Sequence, residues 1–197
     1  MATQKLSQIT PASSPPSVAD QFVGVRAGTQ DILFSQSQME QVFATGGASN
    51  PEVAIAVIPN VTPGQNYGIG MCIGGLLHFA NVLPRNSGIL SFVRITVNVR
   101  EDNTFTIYLF AANPTASVFN DNASAQIAAA DANKVLMALP LIPLNQLGSH
   151  TIYATPRQAA VALAGTDLWA VIVPDGPLST PFATASDVLV EITAIPN

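Results

Sequence analysis

The sequence predicts an all-β protein: an antiparallel β-sandwich or jelly roll with a short N-terminal arm made of a hairpin and one short helix. Three observations predict it. In "ILSFVRITVNVREDNTFTIYLFAANP", Val93, Ile95, Val97 and Val99 alternate with Arg94, Thr96, Asn98 and Arg100, the period of a strand with one buried face. The later apolar stretches are short and are separated by Pro- and Gly-containing turns, with no long helical pattern between them. The first fifty residues carry a different pattern from the rest, which divides the chain into a docking arm over 1–50 and a sandwich over 51–197.

The arm begins with a Ser/Pro-rich lead, "PASSPPSVAD". Phe22, Val23 and Val25 suggest a first strand, Ala27-Gly28-Thr29 a turn, and Ile32, Leu33 and Phe34 a returning strand. Ser35 with Gln38 three residues on has capping-box spacing, and Phe34 with Met39 can close a hydrophobic staple. Met39, Val42 and Phe43 then share one helical face, and Gly46-Gly47 ends the helix. A hairpin and one helix of this size cannot bury their own apolar faces. Phe22, Val23, Val25, Leu33, Phe34, Met39, Val42 and Phe43 are therefore the expected partner-docking residues.

In the second part, "VAIAVIP" reads as a short strand. The alternating segment quoted above reads as a hairpin: Val93 to Val99 and Phe105, Ile107 and Leu109 face inward, and "EDN" forms a polar, solvated turn. Asn113-Pro114 closes the second strand, since proline cannot donate to a ladder. "NDNASAQIAAADANK" suggests one or two helical turns capped by Asp121 or Asn122. Further strands are expected at "VLMAL", "HTIYA", "TDLWAVIVP" and "SDVLVEITAI".

Charged residues make up 10% of the 197 and hydrophobic ones 48%, with a mean hydropathy of +0.36. An ordinary soluble chain carries roughly 25% charged residues. The apolar runs break at Asp131, Lys134, Pro140, Pro143 and Asp167, and none approaches the ~20 residues that span a bilayer. No signal-peptide core opens the chain. A chain with too few charges to cover its own outside is expected to bury surface against other chains, as a homo-oligomer or on a partner. With net charge −5 and two lysines, nucleic acid is a poor partner, and no membrane partner is expected.

No catalytic constellation, cofactor site or metal site is expected. Gly68-x-Gly70-x-x-x-Gly74, within "NYGIGMCIGGLLHF", only loosely resembles a dinucleotide loop and lacks the following helix. Its glycines are expected to allow bulges or close backbone approach between strands. His78 and His150 lack zinc-ligand spacing, no Gly-x-Ser-x-Gly occurs, and Asp121, Asp131 and Asn133 lack calcium-loop spacing; turns and caps explain them. Glu101-Asp102 is expected to be solvated, Cys72 to fill buried space, and Trp169 to belong to the core.

Two segments resemble bacteriophage virion proteins. "ITPASSPPSVADQFVGVRAGTQDILFSQSQM" is similar to a small module at the amino end of phage tail fibres, with Asp20, Val23, Val25, Gly28, Ser35 and Met39 in matching places. From Tyr67 to Ile195 the chain is similar to a group of all-β phage virion proteins. The likeness rests on Gly74-Gly75-Leu76-Leu77 with Phe79, on "YLFAANP" with Phe119 and Asp121-Asn122-Ala123, and on Asp131 and Lys134. An acid usual in that group near Met71-Cys72 is missing here. The resemblance implies that the glycine stretch is a strand pair and that the protein is a non-enzymatic virion part, assembled in the host cytoplasm. Its implied role is capsid decoration or cement, as a trimer on the major capsid protein or another virion protein. A tail or head fibre, a baseplate component and a glycan-binding module are the alternatives.

Overall fold

The computed structural model describes residues 21–23, 33–35, 52–155 and 159–197. The chain divides into two compact units, Met1–Ser49 and Asn50–Asn197. In the first, β1 (Gln21–Val23) and β2 (Leu33–Ser35) pair antiparallel, with Phe22 opposite Phe34 and Val23 opposite Leu33. Ser35 is the last residue of β2. Val25, Met39, Val42, Phe43 and the expected helix lie outside the described residues.

The second unit is antiparallel β-structure throughout. Its strands are β3 (Val53–Val57), β4 (Leu77–Phe79), β5 (Ser87–Val97), β6 (Phe105–Phe110), β7 (Val135–Leu147), β8 (His150–Thr155), β9 (Ala159–Ala162), β10 (Leu168–Pro174) and β11 (Val188–Pro196). They hydrogen-bond in the order β3-β11-β5-β8-β7-β6-β10-β4, with β9 added beside β5. The end strands β3 and β4 come into contact, so the sheet nearly closes into a barrel-like shape.

β7 makes this curvature possible. Residues up to Leu141 pair with β6, and from Ile142 the strand pairs with β8. Each half of β7 thus has one ladder partner, which is why it tolerates Pro140 and Pro143. Pro143 lies at an irregularity in the register with β8.

Period-two alternation fills the interior. Val93, Ile95 and Val97 of β5, Phe105, Ile107 and Leu109 of β6, and Val188, Val190 and Ile192 of β11 are all buried in one core. β10 reads as a continuous apolar run because it is covered on both faces. Leu168, Ala170 and Ile172 face that core, while Val171 and Val173 join Cys72, Phe110 and Phe119 in a second cluster on the other side.

Three expectations require correction. Strands β5 and β6 do not form a hairpin: β8 and β7 lie between them, and residues 98–104 cross from one part of the sheet to another. Their inward residues are as expected, because a period of two specifies which face is buried but not which strand is the neighbour. The glycine stretch is not a strand pair. Apart from β4 and a single bridge from Met71 to Ser124, it is irregular chain. Gly75 has φ +76°, and a Cβ there would stand 2.8 Å from the Phe119 carbonyl oxygen. A Cβ on Gly74 would collide with Pro59. The expected close approach is real, but it is between loops. Finally, the helical turn is a 3-10 helix over Ala129–Lys134 with no side-chain cap, so neither Asp121 nor Asn122 starts it.

Candidate functional site

The buried carboxylates are occupied by loops. Glu101 is 1% exposed and is not in a solvated turn. Its Oε1 accepts from the N–H groups of Asp102 and Asn103 and from Asn103 Nδ2, and its Oε2 accepts from the Ser179 N–H at 2.7 Å and the Ser179 hydroxyl at 3.0 Å. The expectation of solvation fails because the crossing between β5 and β6 turns inward, where its N–H groups need an acceptor. Asp102, the exposed neighbour, accepts from Gln146 Nε2.

Asp121 does similar work over a longer reach. It accepts from the Thr62 N–H (2.8 Å) and hydroxyl (2.6 Å), the Tyr67 phenol (2.9 Å) and the Gly74 N–H (2.6 Å). Burial, then the hydrogen bond to Asp121, pushes the Tyr67 phenol above its ordinary range. Asp131 accepts from the Ala116 N–H, the Ser117 hydroxyl and Lys134. Asp187 accepts from the N–H groups of Ala183 and Thr184 and from the Thr184 hydroxyl. Asp121 and Asp131 therefore tie together segments 15 to 59 residues apart, where local turns and caps were expected, while Asp187 closes a local turn.

One open cleft of about 390 Å³ carries a different arrangement. Trp169 on β10 is half-buried at the margin of the second cluster, where full burial was expected, and stands opposite His78 of β4 in the ladder. The two rings stack at 4.0 Å with 12° between their planes. His78 Nε2 lies 2.7 Å from Asp167 Oδ2, while Asp167 Oδ1 accepts from the Asn81 N–H (2.9 Å) and the Thr166 hydroxyl (3.0 Å). Asn81 takes φ 55°. The Asn81 N–H, then His78 and Thr166, hold the Asp167 carboxyl down to about 2. Trp169, Asp167, Thr166 and Asn113 line the cleft, together with the small residues Ala112 and Gly165.

Sequence reasoning placed Trp169 in the core because its strand is apolar throughout, and it left His78 and Asp167 unconnected. The separation of 89 residues between them hides a contact that only the β4–β10 ladder creates. Cys72 is buried as expected, and burial followed by the charge of Asp121 pushes its thiol up to about 11. Among the described residues no group of three or more His, Cys, Asp or Glu side chains is placed to hold a metal ion, and no helix is long and apolar enough to cross a membrane.

The described residues thus form an all-β, antiparallel and nearly closed sheet, with loops tied together by carboxylates and an open cleft beside Trp169. Comparison with protein-family models, curated proteins and solved structures gives no match to this chain.

Proposed function

We propose that this chain is a non-enzymatic structural protein of a bacteriophage virion, a decoration or cement protein that binds the head exterior as a trimer. Its partner is the major capsid protein or another virion protein, engaged through the N-terminal unit that carries Phe22, Val23, Leu33 and Phe34. The observation that supports this reading best is the outer face of the sheet from β7 to β3.

By register, Ile142, Ala154, Arg94, Glu191 and Ala56 form one row across that face, and Ile152, Thr96 and Leu189 form part of the next. Ile142 is 55% exposed, and Leu144 beyond it is 56% exposed. The only ion pair among these residues is Arg94–Glu191 at 2.7 Å. A face on which one ion pair and Thr96 are the polar side chains of these two rows suits contact with another chain better than contact with water. Loops fixed by buried carboxylates suit a part that must keep its shape under load. The likeness of Tyr67 to Ile195 to phage virion proteins supports the same reading.

The test separates heads from tails of the parent particle and counts this chain in each by mass spectrometry. Copies on heads in numbers comparable to the shell subunits are expected. Confinement to tails would replace the decoration role with a fibre or baseplate role, which the likeness of the first unit to fibre anchors favours.

A further inference from the structure

We propose that the cleft beside Trp169 is a binding site for a neutral hexose, presented as a terminal residue of a glycan. The site stands whether or not the chain is a virion part, since it rests on the second unit alone.

Three features point to a sugar. The first is the size of the cleft. Its volume of about 390 Å³ lies near the lower end of the ~300–1,000 Å³ typical of small-ligand clefts. Ala112 and Gly165 contribute no bulk that would fill it. The second is the indole. The C–H groups on one face of a hexose carry partial positive charge and are attracted to the negative face of an aromatic ring. His78 covers one face of the indole and the second cluster packs against the ring as well, so its orientation is fixed and the part of Trp169 that lines the cleft is what the sugar would meet. The stack lies at the surface, where the His78 and Asp167 side chains are 42% and 38% exposed.

The third feature is the acceptor. Asp167 is anchored by Asn81, His78 and Thr166, so its carboxylate is already oriented. Carboxylate oxygens have lone pairs for further donors, and sugar hydroxyls are such donors. An anionic ligand would be repelled by this group in a chain of net charge −5. A quaternary ammonium would call for a cage of several aromatic rings, whereas Trp169 is the one aromatic residue lining the cleft and Asp167 already faces His78. A neutral polyhydroxyl ring matches both the stacking surface and the acceptor.

Trp169 is the only tryptophan of the chain, so its fluorescence reports on the site directly. The full chain is titrated with the methyl glycosides of glucose, galactose, mannose and rhamnose up to about 100 mM. That is well above the ~1 mM dissociation constant expected for one stacked ring with few hydrogen bonds. A saturable change with at least one glycoside is expected, and none with choline. Gly165→Arg should abolish it: a Cβ there meets nothing within 4 Å, so the side chain can block the cleft without disturbing the fold. Asp167→Asn should weaken binding about tenfold, with the native far-ultraviolet spectrum retained. The proposal is overturned by the absence of a saturable change with all four glycosides, by an unchanged curve in Gly165→Arg, or by a saturable response to choline alone.

Discussion

A single carboxylate at Glu101 satisfies three backbone N–H groups, the Asn103 side-chain amide and a hydroxyl from two loops, and this makes it one of the most consequential charged groups in the molecule. Replacing it by alanine would leave the Asp102, Asn103 and Ser179 donors without their acceptor in a buried corner. Glu101→Ala should cost about 3 kcal/mol of stability in urea unfolding, with Glu101→Gln between it and the native chain, because the amide keeps one acceptor oxygen. A loss below about 1 kcal/mol would mean that water replaces the carboxylate and that the corner does not depend on it. Cys72 makes the opposite point, since its chemistry is suppressed. Its thiol is buried, and its pKa is pushed up to about 11, so at pH 8 it stays protonated and out of reach. Reaction with a thiol reagent should therefore be far slower in the folded protein than in urea. Burst labelling of the native chain at pH 8 would show that the cover over Cys72 opens readily. The burial of Cys72 is what its residue type suggests, but that of Glu101 is not. Glu101 in "REDN" has the letters of a solvated turn, and only the path of the chain after β5 turns it inward.

At the scale of elements, alternation is what the sequence expresses most directly. The buried faces of β5, β6 and β11 follow from period two, and β10 appears as an unbroken apolar run because a second cluster covers its outer side. Pairing is a different quantity. The seven-residue crossing between β5 and β6 looks like a hairpin loop in sequence, and the true neighbours of these strands are brought in from 25 residues away (Phe110 with Val135) to 108 (Gly88 with Pro196). The three residues of β4 and four of β9 are too few to show a period. The glycine stretch illustrates how backbone conformation and packing separate. Gly70 and Gly75 both have positive φ, at +72° and +76°, yet a Cβ on Gly70 meets nothing within 4 Å while one on Gly75 presses on the Phe119 carbonyl. Gly70→Ala should thus cost only the left-handed strain, about 1 kcal/mol, and Gly75→Ala about 3 kcal/mol, since Phe119 must move with its cluster. Equal losses in the two variants would show that the contact between the two loops yields without cost.

For the molecule as a whole, composition gave the clearest expectation: 10% charged residues cannot clothe a sandwich on their own. Ile142, Ile152 and Leu189, on two adjacent rows of the outer face, mark where charges are few, and they could not be grouped from sequence because strand order decides which residues share that face. The site beside Trp169 depends on the same order, through the pairing of β4 with β10. The unit Asn50–Asn197 contains the core of large apolar side chains, among them Phe79, Phe105, Phe110, Tyr153 and Phe182, which are wholly buried. Removal of residues 1–49 should therefore leave a chain that unfolds cooperatively, with a melting temperature within a few degrees of the full protein. If the first unit is the anchor, the truncated chain should fail to load onto particles stripped of this protein while the full chain loads to its original copy number. Substitution of Phe22 and Phe34, paired across β1 and β2, by serine in the full chain should reproduce that failure without moving the melting temperature of the second unit. Full loading of the truncated chain would transfer the docking role to the outer face of the sheet. In that case Ile142→Lys, at a position 55% exposed and so of small consequence for folding, should abolish loading in its place.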